Sequence, residues 1–304
     1  MGALFLLTLL AGCATPQVSA LLDQPPSALP ARLQLVNTPF FPQDEYQCGP
    51  AALAMVMNHA GINITPDALV PQVYLPERQG SLQTEILTAT RRQGLVAYVL
   101  APQLVALLRE VAAGTPVLVL QNLAFNFAPV WHYAVVVGYD LAREEITLRS
   151  GVTRDLVLTL TNFEHTWARS DYWAMVALPP DRLPASAAED QYVSAAVALE
   201  RTSASAAQRA YATALTQWPR NLTARIGMGN TAYALHDLRT AETAYRRATN
   251  DHPAAADAWN NLAQVLLERG RKEDALPAAE RAVALGGPRI AQYRATLEAI
   301  KNTR

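Results

Sequence analysis

The chain has 304 residues, about twice a typical single domain, and 51% of them are hydrophobic against 17% charged, a composition that fills a core and excludes a disordered protein. Lys+Arg 25 against Asp+Glu 26 leaves a net charge of -1, without the basic footprint of a nucleic-acid binder, so no nucleic-acid partner is expected. Two cysteines, Cys13 and Cys48, are too few for a disulfide framework or a four-cysteine zinc site, and each needs its own explanation.

The N-terminus reads MGALFLLTLLAGCATPQ. Its apolar run from Ala3 to Ala11 would span about 13 Å as a helix, against about 30 Å of bilayer core, and so suits an export signal rather than a membrane span. Leu10-Ala11-Gly12-Cys13 resembles the bacterial lipoprotein signal, which implies a diacylglyceryl thioether at Cys13 and a cell-envelope protein anchored on the periplasmic or extracytoplasmic face. No Lys or Arg precedes the apolar run, so the true translation start is expected a few codons upstream. The alternatives are an ordinary cleaved signal that contains a Cys, or a Cys13–Cys48 disulfide in an oxidising compartment. Residues 14–32 contain Pro16, Pro25, Pro26 and Pro30 and are expected to form an extended Pro-rich tether.

Residues 33–178 form the first expected domain. A helical pattern runs from Cys48 to His59 and stops at Gly61; Thr65-Pro66-Asp67 opens another; and a further helix is expected from Ser81 to Gln93, capped by Ser81 and ended by Gly94. Strand candidates rich in Val, Leu and Tyr follow at 116–121, 132–138, 145–149, 156–160 and 172–178. Helices first and strands later predict an α+β domain.

Pro179-Pro180-Asp181-Arg182-Leu183-Pro184 marks a break, with residues 179–187 expected as a linker before an Ala-rich helical region, 188–304. A shift of 34 residues places Ala207, Tyr211, Ala214 and Pro219 on Ala241, Tyr245, Ala248 and Pro253, and a looser third unit carries Trp259, Leu262, Ala263, Ala275, Ala282 and Pro288. This pattern resembles the tetratricopeptide repeat. It implies units near 188–221, 222–255 and 256–289, a capping helix from Ile290 to Ile300, and a protein or peptide partner on the repeats.

Chemistry concentrates around Cys48. A cysteine in the first turn of a helix meets the positive end of the helix dipole, which favours thiolate; Gly49 leaves the sulfur approachable, and Pro50 is tolerated there because its missing N–H has no helical partner. The bland reading is a buried core thiol. A nucleophile needs a base, and among five histidines His236 and His252 sit near repeat-helix ends, His165 in a short helix, and His59 about 16 Å along the helix that Cys48 opens. His132, at the head of an apolar strand, is the candidate, since a histidine there requires a hydrogen-bond partner.

Gln, then Cys48-Gly49-Pro50-Ala51 on a helix, and His132-Tyr-Ala-Val-Val-Val-Gly-Tyr roughly 84 residues later, followed by Leu160 to Phe163, Trp167 and Tyr172 to Val176, resembles the papain-like domain of the bacteriocin-processing, double-glycine leader peptidases. The resemblance covers about 38–178. It implies a papain-like α+β fold, Cys48 as nucleophile, His132 as general base and acid, and Gln43 as oxyanion donor beside the Cys48 N–H. Gln43 stands five residues before Cys48 where the family pattern usually has six, and Gln47 is the weaker substitute. No carboxylate stands where the family's third member is expected; Ser150 is the candidate orienting group, with Asp140 and Asp155 as alternatives.

No metal-ligand cluster or nucleotide loop is present in the sequence, so no cofactor or metal is expected. The reading is a membrane-anchored cysteine peptidase acting on a peptide or protein substrate. The alternatives are a catalytically silent module serving as a lipid-anchored scaffold, and another Cys/His acyl transferase or amidase.

Overall fold

The computed structural model describes residues 15–42 and 47–303. It divides into two compact units, the first taking in the chain to Gln93 with Ala97–Leu178 and Pro184–Ala187, the second Gly94–Val96, Pro179–Leu183 and Ala188 onward.

The first unit opens with a short helix, α1 (Pro16–Asp23), where an extended tether was expected. Pro16 starts it because a fixed φ and a missing N–H both suit the first helical position. Val18 and Leu21, on one face by their i, i+3 spacing, are buried. Thr15 offers no side-chain cap; instead the buried Glu164 carboxylate accepts from the backbone N–H of Gln17 (3.1 Å) and Val18 (2.7 Å). Prolines counted as tether composition thus open a docked helix. Strand β1 (Arg32–Gln34) then joins the main sheet.

Helix α2 (Cys48–His59) buries nine consecutive residues, Gly49 to Met57, as a helix with no polar face must. Asn58 ends it, its side-chain amide donating to the Ala54 and Ile64 carbonyls. Helix α3 (Pro66–Val73) is capped by Thr65, whose hydroxyl accepts from the Ala68 N–H. A small hairpin pairs β2 (Tyr74–Leu75) with β3 (Gly80–Ser81), so that Tyr74 faces Ser81. Helix α4 runs Gln83–Arg92 with Leu82 at its N-cap and no side-chain cap. Ser81 is therefore a strand residue, not the cap its hydroxyl suggested.

Strand β4 (Val96–Val99) and helix α5 (Leu104–Ala112) precede four strands: β5 (Val117–Asn122), β6 (Trp131–Asp140), β7 (Glu145–Ser150) and β8 (Thr153–Thr159). Thr159 then caps α6 (Leu160–Ala168), so Leu160 begins a helix instead of ending a strand. Strand β9 (Ala174–Leu178) completes a sheet of order β4-β9-β5-β6-β7-β8, with β1 added along the far end of β6. The pairings of β6 with β1, β5 and β7, of β5 with β9 and of β7 with β8 are antiparallel. β5 is buried along its whole length and β6 from Tyr133 to Tyr139; α2 packs on this centre. The fold class is α+β, and the two ends of the chemistry meet where α2 starts and β6 starts.

The second unit is a run of helix pairs: α7 (Glu189–Glu200) with α8 (Ala204–Gln217), α9 (Leu222–Ala234) with α10 (Leu238–Asp251), and α11 (Ala256–Glu268) with α12 (Lys272–Leu285), followed by α13 (Ile290–Asn302). This is a tetratricopeptide-type solenoid. Ala207, Tyr211 and Ala214 are buried in α8, and Ala241, Tyr245 and Ala248 in α10. Both tyrosine rings lie over glycines of α9, the helix between them: a Cβ on Gly227 would stand 2.5 Å from Tyr211 Cε2 of α8, and one on Gly229 2.7 Å from Tyr245 Cδ1 of α10. Glu242 on α10 gathers Arg246, Arg269 and Arg271, tying α10 to the turn that joins α11 and α12. Tyr293 and Ile300 bury the face of α13 that closes the stack.

Residues 179–187, expected as a linker, are held at several points. The buried Glu110 carboxylate accepts from the N–H of Ala185 (3.2 Å) and Ser186 (2.7 Å) and from the Ser186 hydroxyl, and the Tyr192 hydroxyl donates to the Pro180 carbonyl. The stretch reads as linker by composition, but its Ala185 and Ser186 N–H groups satisfy a buried carboxylate of the first unit, and its Pro180 carbonyl accepts within the second.

Candidate active site

Cys48 is the first residue of α2 and is a free, half-buried thiol. Burial pushes that thiol above its ordinary range, and the backbone N–H groups of Tyr133, Gly49 and Cys48 itself, all directed at the sulfur, partly offset it. The Tyr133 N–H matters for geometry as well, because it places the sulfur against β6 one residue beyond His132.

His132 is the second residue of β6, paired with Gln121 of β5. Its Nε2 lies 2.8 Å from Ser150 Oγ, at the end of the neighbouring strand β7, just past the irregularity between Leu148 and Ser150. Burial pushes the imidazole below its ordinary value. The two chemistry-bearing residues therefore rest as neutral thiol and neutral imidazole, in one groove of about 810 Å³ whose lining includes Cys48, Ser81, Trp131, His132 and Arg169.

The alternatives to Ser150 are held elsewhere. Asp140 is paired with Arg32 and accepts from the Arg143 N–H, while Asp155 takes Gln34 and Arg149. Gln47 precedes α2 as its N-cap residue without a side-chain capping bond. Gln43 and Cys13 lie outside the described residues. The other histidines have structural partners or turn positions: His59 bridges Thr38 and the Gly114 carbonyl, His252 meets the Arg220 carbonyl, and His236 occupies a left-handed turn at φ 60. His165 lies within α6.

Three neighbours escaped the sequence reading. Arg149 is fully buried beside Ser150 and ties the β7–β8 turn through the Arg154 carbonyl and the Asp155 carboxylate; an arginine inside the apolar pattern of β7 was the available signal. Ser81 packs against Gly49, and its buried hydroxyl has no hydrogen-bond partner among the described residues. Tyr133 donates from its phenol to the Ser81 carbonyl (3.3 Å) and stands edge-on to Trp173, which fixes the β3 wall of the groove against β6. Neither Ser81 nor Tyr133 carried a sequence signal, since both contacts depend on how β3 folds over α2.

Residues 34–175 match the family model described as Peptidase_C39 like family, and residues 226–290 match the tetratricopeptide repeat model. The chain thus carries a C39-like peptidase domain followed by tetratricopeptide repeats. No curated protein matches it. Among solved structures it is similar to a putative C39-like peptidase from Bacillus anthracis, 20% identical over 48% of this chain and 97% of that one, with TM-score 0.40. It is also similar to an O-GlcNAc transferase mutant of Thermobaculum terrenum, 25% identical over 37% of this chain and 22% of that one, with TM-score 0.35. A third is YrrB, a TPR protein with an unusual peptide-binding site, 23% identical over 37% of this chain and 58% of that one, with TM-score 0.35. The chain thus spans less than two thirds of the transferase and of YrrB.

Proposed function

We propose that the chain is a cysteine peptidase, held on the extracytoplasmic face of a membrane by an acylated Cys13, with the repeats recruiting a peptide or protein. The observation that carries the catalytic part is the 2.8 Å bond between His132 Nε2 and Ser150 Oγ in the groove that also holds Cys48. With Nε2 committed to Ser150, Nδ1 is the nitrogen that serves the thiol.

In this mechanism Cys48 Sγ attacks the scissile carbonyl carbon while its proton passes to His132 Nδ1, so that a neutral pair becomes sulfur bond and imidazolium. Charge moves onto the carbonyl oxygen, where the Cys48 backbone N–H and the Gln43 side-chain amide donate. As the C–N bond breaks, the imidazolium gives its proton to the leaving amine. His132 then takes a proton from the water that attacks the thioester and returns it to the departing sulfur, releasing the acid and restoring the neutral thiol and imidazole. His132 acts as base and then acid in each half of the reaction, so nucleophile and histidine work as one unit.

The test is digestion of a peptide library, under reducing conditions, by the chain beginning at Ala14, which keeps α1. Cys48→Ala and His132→Ala should each remove nearly all turnover, and the double variant should be hardly worse. Turnover unchanged by Cys48→Ala overturns the assignment. The anchor is tested separately by membrane fractionation: wild type should pellet with membranes and Cys13→Ser should not, and a soluble wild type sinks the anchor alone.

A second reading, a silent peptidase-like scaffold, is favoured by the hydroxyl where a carboxylate would hold the imidazole. Failure of an iodoacetamide probe to label Cys48, together with no turnover, selects it.

A further inference from the structure

We propose that the β5–β6 hairpin, Leu123 to Trp131, is a membrane-insertion element that enters the bilayer holding Cys13. The choice of bilayer rests on the anchor reading above; the apolar exposure does not. The loop presents Leu123, Phe125, Phe127, Val130 and Trp131 to solvent, with Phe127 87% and Phe125 63% exposed. Scattered single apolar residues are ordinary on a surface, whereas five within nine positions form a patch that marks a docking surface. No Asp, Glu, Lys or Arg occurs between Glu110 and Asp140, so the loop itself carries no formal charge to be desolvated on entering an apolar phase.

The loop is also built. The buried Asn122 accepts at Oδ1 from the N–H of Ala124 (3.1 Å) and Val130 (3.0 Å), Leu123 N–H donates to the Val130 carbonyl, and Ala128 N–H to the Phe125 carbonyl. The Phe125 and Phe127 rings stack with centroids 5.3 Å apart. A loop held in shape from inside, with its aromatic rings turned outward, is preorganised for a partner.

Two observations select the bilayer. Phe125 and Phe127 do not line the groove that holds Cys48, whereas Val130 and Trp131 at the hairpin base do; the most exposed rings therefore lie outside the groove. The start of the described chain also lies close to the hairpin through α6. Glu164 holds the N–H groups of Gln17 and Val18, and Arg169, five residues further and about 7.5 Å along the helix axis, donates to the Asn122 and Ala124 carbonyls. Cys13 stands four residues before Gln17, a reach of at most about 14 Å. An acyl chain on Cys13 would hold the bilayer on the side of α6, the helix whose C-terminal end bonds the hairpin. Membrane anchoring that uses one covalent signal and one apolar surface is a two-signal attachment.

The experiment uses the chain beginning at Ala14, which has neither leader nor acyl group, and phosphatidylcholine vesicles, so that binding reports the hairpin alone. Wild type should float with the vesicles, insensitive to salt, and acyl-chain-brominated lipid should quench an emission component that Trp131→Phe removes. Phe125→Ser/Phe127→Ser should lower the partition coefficient about tenfold or more while leaving circular dichroism and Cys48 alkylation unchanged. No flotation of wild type, or equal flotation of the double variant, overturns the proposal. A double variant that floats normally but raises KM for a peptide substrate makes the hairpin a substrate-docking surface instead. Loss of fractionation by Cys13→Ser with no vesicle binding by the Ala14 chain would separate the two readings, leaving the anchor and removing the hairpin.

Discussion

Ser150→Ala removes the only partner of His132 Nε2 among the described residues, a neutral bond of 2.8 Å between a hydroxyl and an imidazole. A neutral hydrogen bond contributes about 1 kcal/mol net, so kcat/KM should fall about fivefold. The loss stays small for a specific reason. A hydroxyl both donates and accepts, so Ser150 is compatible with either tautomer, whereas a carboxylate only accepts and would fix the proton on Nε2. Ser150→Asp tests the same geometry from the other side: a negative charge beside Nε2 stabilises imidazolium, raises the His132 pKa, moves the acid limb of kcat/KM to higher pH and speeds iodoacetamide alkylation of Cys48 at neutral pH. The assays are pH profiles of peptide turnover and of alkylation for wild type and both variants. A loss beyond about 10³ for Ser150→Ala, on the scale of a triad member, or an acid limb that does not move in Ser150→Asp, would refute the assignment of Ser150 as an orienting hydroxyl.

Three further outcomes are expected. Because burial lowers His132 and raises Cys48, His132 stays unprotonated to lower pH than an ordinary imidazole of about 6.5 and the thiol stays protonated to higher pH than an ordinary thiol of about 8.5; a pH profile of kcat/KM should therefore show both limbs outside those values. Gly49→Ala places a Cβ in clash with Ser81 Oγ and 2.6 Å from Ser81 Cβ, costing about 1–3 kcal/mol and displacing Cys48; thermal melts and alkylation rates should show the loss, and Gly49→Ala/Ser81→Gly should recover most of it. In the repeats, burial works to raise the Glu242 carboxyl, but Arg246, then Arg271 and Arg269, hold it below the ordinary range. That stability is present above the unfolded value and lost as pH falls through the folded one, so Glu242→Gln should cost about 1 kcal/mol at pH 7 given partly exposed arginines, read as a lower melting temperature, and have little effect at pH 3.

The helix at Cys48, the strand at His132 and the helix pairs from 188 onward were legible because each repeats a local period: continuous apolar residues, β-branched runs, a 34-residue shift. Elements that depend on a distant partner were not. Helix α1 gains its N-terminal cap from Glu164, some 147 positions away, and a window around Pro16 contains no sign of it. Ser81 reads as a cap in any local window, yet the pairing with Tyr74 draws it into a strand. At the candidate site Cys48 and His132 carry their own chemistry in their residue types, and Ser150 was reached through the position of the strand after them. Arg149 and Tyr133 act through a buried guanidinium and a backbone N–H, and neither role is marked by residue type.

Glu110 has a consequence for the order in which the first unit is completed. Its carboxylate is fully buried, and the N–H groups that meet it belong to Ala185 and Ser186, beyond the last strand of the sheet. While the chain emerges from its N-terminus, every strand is available once Leu178 has appeared, yet a buried acceptor still waits for donors seven and eight residues later. Burying a carboxylate without hydrogen-bond donors is costly, so a chain ending at Leu178 would hold α5 loosely against the sheet, and one ending after Ala187 would not. The first unit is closed by a segment that composition assigns to the space between domains.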